Sequence, residues 1–554
     1  MATKRPARGV RGELRGEIMM LFVATSDEAS SCESICNASS LAADSRPFFL
    51  SSTVVSTVFV NEKQLRQLFY TGHALKFSVM HLMIEKYYAN PNVRARMLEF
   101  LGGRTLGEAT AMFITADGDS PDVLFKQRPV RDLWDGLEQA KEIARSFWDR
   151  DYLIVDLDIE YVNFDFPASP YVQPKRAFEL QQPVVKAIEE QLLRWGIAPL
   201  HLISGRGHHF IWKICRQSDA FARLCGLGHL SESLRQRYRT PHPTSGETID
   251  DNLGSAFSGL GMVLEYFGQK IMAQCRQTCE IPIQLAAVEA GPGKHGREMV
   301  SIDLSEYGDD LYTRCVRMPF SVYLKPEQQR YCLGDPFVNA MPYLFSIPLH
   351  EMDVSQAIEV MRCSEQTAEL AGQASVQIPD GSDSTLEMID EYSQSKLAHF
   401  HDSFYSEEHE SPESWESTYD RTPLEPLPDC IRQPLEQPNE LLLKPAVIQN
   451  VTRAFMAKGW SPRHIAGLIR SKYERDCGWG DKWFRYDATS RADFYVRLFA
   501  GQIAVGTDSL IDFNCRSTQE KHYCCNPKCG KNLVNLQHEL RQGNTQRIQP
   551  EQVS

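Results

Sequence analysis

Several features that would place a chain at once are missing from this one. No apolar run approaches the roughly 20 residues of a membrane-spanning helix, so no membrane partner is expected. The nearest export-like stretch, residues 18–24 behind Arg5, Arg8, Arg11 and Arg15, is short and enters Ser26-Asp27-Glu28 directly. The 15 cysteines are mostly scattered singly and form no disulfide framework. A reducing, cytoplasmic location is therefore expected. No internal repeat is present, and no Gly-x-x-x-x-Gly-Lys-Ser/Thr phosphate loop, which excludes solenoids and P-loop nucleotide hydrolysis. An excess of basic charge is missing too, since the net charge is −13.

That acidity is local. Residues 380–440 hold 16 acidic side chains against Lys396, Arg421 and Arg432, which accounts for the whole net charge. Residues 441–505 hold 11 basic against 5 acidic, so a neutral average conceals a basic region. At 554 residues the chain is too long for one core. Composition divides it into a disordered segment 1–50, rich in Ser, Ala and Arg, and an α+β domain over 51–375. Residues 376–440 read as an acidic disordered linker, and residues 441–554 as a helical C-terminal domain that ends in a cysteine cluster.

Within the α+β part, Tyr152-Leu153-Ile154-Val155-Asp156-Leu157-Asp158-Ile159-Glu160-Tyr161 reads as a buried strand. Alternation puts Asp156 and Asp158 on one face, about 6–7 Å apart. Like charges there repel unless a divalent cation such as Mg²⁺ or Mn²⁺ lies between them; the other reading is a strand end with solvated acids. A helix over residues 176–195 closes at Gly196. Leu200-His201-Leu202-Ile203-Ser204-Gly205-Arg206-Gly207-His208-His209-Phe210-Ile211-Trp212 then reads as strand, turn, strand. Gly205 and Gly207 let backbone amides approach an anion, with Ser204, Arg206 and a histidine as further donors; an ordinary hairpin is the alternative. A third strand, residues 299–304, carries Asp303, and Arg314 to Lys325 follow it.

In this order the segments resemble the three motifs of the archaeo-eukaryotic primase superfamily. Asp156 and Asp158 stand at that family's Asp-x-Asp. Ser204, Gly205, Gly207 and His209 stand at its Ser-Gly-x-Gly-x-His, and Asp303 at its third-motif aspartate, with Asp309 and Asp310 as fallbacks. Residues 317–323 resemble the Lys-Ser-Pro-Phe-Ser-Val-His segment of eukaryotic primase small subunits, with Tyr323 in place of the histidine. The resemblance, over residues 140–335, implies a catalytic core with an RRM-like antiparallel sheet. It also implies template-directed nucleotidyl transfer, with Asp156, Asp158 and Asp303 as ligands to Mg²⁺ or Mn²⁺. Ser204, Gly205, Arg206, Gly207, His209, Arg317 and Lys325 would then hold the nucleoside triphosphate. Implied partners are a single-stranded DNA template and, for unwinding, a helicase or other replication protein.

Near the C-terminus, Cys515, His522, Cys524, Cys525 and Cys529 lie close in sequence with Pro527 and Gly530 among them. Cys515, His522, Cys524 and Cys529 make a zinc set, with Cys525 or Cys477 open as the fourth ligand. The Cys-x-x-Pro-x-Cys half resembles the zinc module of herpesvirus-type primases and eukaryotic primase-polymerases. Upstream, Trp479, Trp483, Phe484, Tyr486, Phe494 and Tyr495 interleave with Lys482, Arg485, Arg491 and Arg497, a pattern that suits single-stranded nucleic acid or a helix core with a basic face. A repair or mobile-element-associated polymerase of the same superfamily, a Mn²⁺-dependent Asp-x-Asp glycosyltransferase and an inactive nucleic-acid-binding zinc protein remain alternatives.

Overall fold

The run expected to form the acidic strand does so, over twelve residues, Tyr152–Asn163. Its β-branched and aromatic side chains favour the extended backbone, and its odd-numbered residues Leu153, Val155, Leu157, Ile159 and Tyr161 are all buried. The computed structural model describes residues 81–115, 126–243, 245–288, 297–326, 342–475 and 486–548, all of which belong to one compact unit spanning 71–554. The expected disordered segment 1–50 lies outside the described residues.

The described strands are β1 (Ala111–Thr115), β2 (Lys126–Arg128), β3 (Ile143–Asp149), β4 (Tyr152–Asn163), β5 (Leu200–Ser204) and β6 (Gly207–Cys215). They continue with β7 (Ile283–Gln284), β8 (Glu298–Asp303), β9 (Cys315–Arg317), β10 (Val322–Tyr323), β11 (Leu344–Phe345) and β12 (Ile347–Pro348). The larger sheet has the order β12-β5-β6-β4-β8-β7 and is antiparallel except where β7 meets β8. A second antiparallel sheet has the order β2-β1-β3-β9. With helices packed around both, the chain is an α+β protein.

The pleat of β4 gives its two faces different surroundings. Ile159 lies opposite His208, and Val155 opposite Trp212. The edge of the Phe178 ring meets His208, so the amphipathic helix Pro174–Arg194 covers this odd-numbered face. Asp156, Asp158 and Glu160 project from the other face.

The acidic segment 376–440 is not a linker. Residues 379–381 bond to β6 beyond the end of β5, through Lys213 N to Pro379 O at 2.9 Å and Gly381 N to Lys213 O at 2.9 Å. The helix Ser382–Ser393 then packs on the odd-numbered face, with the Trp212 indole donating to Thr385 Oγ1 at 3.1 Å. The helix Lys396–Ser406 follows, burying Leu397, Ala398, His401 and Phe404. Charge repulsion within the segment does not extend it, because distant cations neutralise its acids. Arg223 meets Asp390 at 2.5 Å, Lys270 meets Glu391 at 2.6 Å, and Arg475 meets Asp420 at 2.8 Å.

Nor is the region after 441 tethered apart from the sheet. Its helix Ala488–Val505 lies against the turn Ser305–Gly308 that leaves β8, with Phe494 so close to Gly308 that an added Cβ would meet the ring at 2.3 Å. Arg491 donates to Asp309 at 2.6 Å, and Arg497 to Glu265 at 3.2 Å and to Tyr405 at 2.7 Å. The described part of the aromatic–basic stretch is therefore packed interior: Phe494 and Tyr495 are buried and both arginines serve buried acids. Residues 479–485 of that stretch lie outside the described residues.

Candidate metal centre and its cationic flank

Register places the acids. Asp158 on β4 stands directly opposite Asp303 on β8 and opposite His209 on β6. Among the described residues, Asp158, Glu160 and Asp303 form a group in which one carboxylate oxygen from each lies within 4.8 Å of the other two. At that separation two ionised carboxylates repel by about 3–4 kcal/mol at an effective dielectric constant of about 20. Asp158 Oδ1 is buried without a hydrogen-bond partner. Burial pushes Asp158 up to about 8, with Glu160, Asp156 and Asp303 adding to the rise and His209 opposing it. Glu306, on the turn after β8, is also driven well above the ordinary range by burial and by Asp156, Asp158 and Asp303, and its Oε2 is buried and unpartnered. Two protein oxygens with no donor, in a nest of carboxylates, fit a hard divalent cation such as Mg²⁺ or Mn²⁺.

Asp156 faces the same side but is engaged differently from the sequence expectation. Its carboxylate meets His209 Nδ1 at 3.2 Å, while His209 Nε2 stands 3.7 Å from Asp158 Oδ1. Burial works against the imidazolium, yet Asp158 and Asp156 outweigh it and hold His209 at about 9. Asp156 is therefore joined to the carboxylate group through His209, and Glu160 takes the third place within it. The alternation Asp156-x-Asp158-x-Glu160 was the available signal for Glu160; nothing local marked Glu306, which reaches the site through a 3₁₀ turn. Asp309 and Asp310 are occupied elsewhere, by Arg314 and Arg491 and by Arg237 and the Tyr312 amide respectively.

The hairpin after β5 closes over Gly205 and Arg206, with Ser204 opposite Gly207. Close packing explains both glycines. A Cβ on Gly207 would sit 1.8 Å from the Ile159 carbonyl oxygen, and one on Gly205 would strike the Tyr323 ring at 2.5 Å. The turn is fixed from outside: the Arg206 carbonyl accepts from Tyr161 N and from Gln181 Nε2, each at 3.1 Å. Ser204 is buried at the strand end.

Three cations flank the acids. Arg206 is bonded to Glu160, and Lys325 Nζ stands 3.8 Å from the same carboxylate. Arg317 is paired with Glu142 and lies over the Tyr323 ring at 4.8 Å. Burial opposes ionisation of Glu160, but Arg206 and Lys325 prevail and hold it at about 2. Burial and the neighbouring Arg206 bring Lys325 down to about 8. Tyr323, where the resembled segment has a histidine, makes a floor for Gly205 and Arg317 and meets the Tyr171 hydroxyl at 3.4 Å.

His208 is turned away from all of this. It is buried on the opposite face, its Nδ1 is 2.9 Å from His201 Nε2, and burial drives its imidazole well below the ordinary range.

Of the expected zinc set, Cys515 and Cys529 share the Lys531 carbonyl, at 3.9 and 3.5 Å, while His522 is exposed on a left-handed backbone with φ 61°. Cys477 lies outside the described residues.

No family model, curated protein or solved structure matches this chain.

Proposed function

We propose that the chain is a metal-dependent nucleotidyltransferase of the primase-polymerase type, extending a nucleic-acid strand on a single-stranded DNA template. The observation that carries this reading is the adjacency of two chemistries: the Asp158–Glu160–Asp303 group and the Arg206–Arg317–Lys325 flank meet at Glu160. Phosphoryl chemistry needs both, since charge develops on the attacking and leaving oxygens while the phosphates themselves must be held.

In this reading Asp158 and Asp303 hold Mg²⁺ or Mn²⁺, with Glu160 or Glu306 completing the oxygen set. Bound metal would lower the pKa of the attacking 3′-hydroxyl and screen the leaving pyrophosphate. His209, kept cationic by Asp156 and Asp158, offers a donor at the acids' edge. Arg206, Arg317 and Lys325 hold the triphosphate; to do so Arg206 and Arg317 exchange Glu160 and Glu142 for phosphate oxygens. The resemblance of residues 140–335 to the archaeo-eukaryotic primase superfamily supports the same reading. A glycosyltransferase would account for an Asp-x-Asp and could use the flank for its nucleotide diphosphate, but it leaves the Ser204-Gly205-Arg206-Gly207-His208-His209 hairpin unexplained.

The deciding experiment is incubation with template and labelled nucleotides in Mg²⁺ or Mn²⁺, with and without primer, alongside UDP-sugars. Metal-dependent, template-complementary products support the proposal. Sugar transfer, or no incorporation with any primer and metal, removes it.

A further inference from the structure

A cavity of about 370 Å³ shares no residue with the metal centre or its cationic flank. It is bounded by the last turn of the helix Asp251–Cys275, by the edge strand β7, and by the end of the helix Ala488–Val505 with the turn after it. That last helix stops at Gly506, which takes a left-handed φ of 82°. Thr507 then turns back, its amide donating to the Gln502 carbonyl at 2.9 Å and its hydroxyl to Gln269 Oε1 at 3.0 Å. Met272, Ile281, Ile283, Val505 and the exposed Ile511 supply apolar walls. The lining charges of Arg453 and Asp508 are already satisfied: Arg453 is buried and holds Asp508 at 2.7 Å and Asp512 at 3.1 Å. Two lining groups are not. The Gln502 side chain is 2% exposed and makes no hydrogen bond among the described residues, so its Nε2 is a buried donor without an acceptor. Arg276, on the exposed rim, has no ion pair among the described residues.

We infer that this cavity binds an adenine nucleotide, with the base between the apolar walls, its edge on the Gln502 carboxamide, and the phosphate at Arg276. An unpaired buried amide is costly, and an acceptor brought into the cavity relieves it. A glutamine carries a donor and an acceptor side by side, which matches the ring nitrogen and exocyclic amino group of adenine. Guanine presents a carbonyl oxygen where adenine has that amino group, and so sets an acceptor against Gln502 Oε1. A fatty acid would meet Arg276 but bring no acceptor to Gln502. The volume lies within the range of small-molecule sites, and the mix of apolar wall and few polar groups is theirs too. Binding here needs no metal and does not rest on nucleotidyl transfer at the carboxylates.

The test uses the full chain in EDTA, with ADP as the probe and calorimetry as the measure of binding. Cys279 lines the same cavity and is a free thiol of intermediate exposure, whereas Cys525 is exposed and lies outside it. ADP should slow alkylation of Cys279, read by mass spectrometry, and leave that of Cys525 unchanged. Gln502→Leu and Arg276→Glu should each weaken ADP by about tenfold or more. Gln502→Leu removes an unpaired donor and should hold or raise the melting temperature, so its loss of binding is not a loss of fold. GDP should bind more weakly than ADP, and adenosine more weakly still than AMP. Arg206→Ala, which disrupts the cationic flank, should leave ADP binding within about twofold, separating this site from the proposed active site. Failure of ADP to protect Cys279, unchanged ADP affinity in Gln502→Leu and Arg276→Glu, loss of binding in Arg206→Ala, or protection by octanoate but not by ADP would each overturn the assignment.

Discussion

The Tyr307 hydroxyl accepts from the Asp156 amide at 3.1 Å and donates to the Asp156 carbonyl at 2.8 Å. It does for β4 what β8 would do if it continued, because the β4–β8 ladder ends at Asp158 opposite Asp303. A side chain thus replaces a strand where room is needed beside the acids. Tyr307→Phe removes both bonds and leaves a buried amide and carbonyl unpaired, at a cost of about 1–3 kcal/mol. A lower melting temperature with reduced incorporation is expected. An unchanged melting temperature would mean that β4 needs no such clamp.

Asp158 makes the metal-free protein sensitive to pH. Its carboxyl, raised to about 8 by burial and by its acidic neighbours, binds a proton more tightly folded than unfolded, where it titrates near about 4. The folded state therefore holds the extra proton between those values. Stability should fall as pH rises from about 4 to about 8, and this component should be flat above. Asp158→Asn should lessen the decline, leaving the parts that Glu306 and His209 contribute, raise the metal-free melting temperature at pH 8, and abolish the further rise on adding Mn²⁺. Calorimetry with and without Mn²⁺ checks all three, and a variant that still responds fully to Mn²⁺ would count against the ligand assignment.

The two adjacent histidines should separate cleanly. His209 lies between Asp156 and Asp158, so His209→Ala should slow primer extension by about 10²-fold or more. His208→Ala, on the far face against Phe178 and His201, should lower the melting temperature while leaving the rate constant of the surviving folded protein within about threefold. Equal kinetic losses would show that the two faces of β6 are not distinct in function.

The chain cut after residue 440 should not fold as a smaller enzyme. Cutting there strips Phe494 from Gly308 and leaves buried Asp309 without Arg491 and buried Glu265 without Arg497. Breaking one such buried pair costs about 3–5 kcal/mol, comparable with a domain's whole stability. Loss of a cooperative thermal transition by circular dichroism is the expected result. A truncated chain that melts cooperatively would restore the picture of a separable C-terminal domain.

What the sequence determined by itself was local and periodic. The alternation in β4 fixed which face the acids share. The two-residue turn at Gly205 and Arg206 fixed the β5–β6 register, and with it the opposition of His208 and His209. The helix over 174–194 ended where Gly196 could take its left-handed φ of 68°. These follow from neighbours within a few positions, where the backbone leaves few choices. Tertiary structure alone decided the partners of charges. The acids of 380–440 looked solvated because Arg223, Lys270 and Arg475 are remote in sequence, and the arginines of 491–497 looked free because Asp309 and Glu265 are remote as well. Glu160 entered the candidate ligand group, and Asp156 was turned to His209, through cross-strand registers that no single segment encodes. A titratable side chain carries no mark of which opposite charge or ligand it will meet, since electrostatic pairing depends on distance in space, and the fold sets that distance.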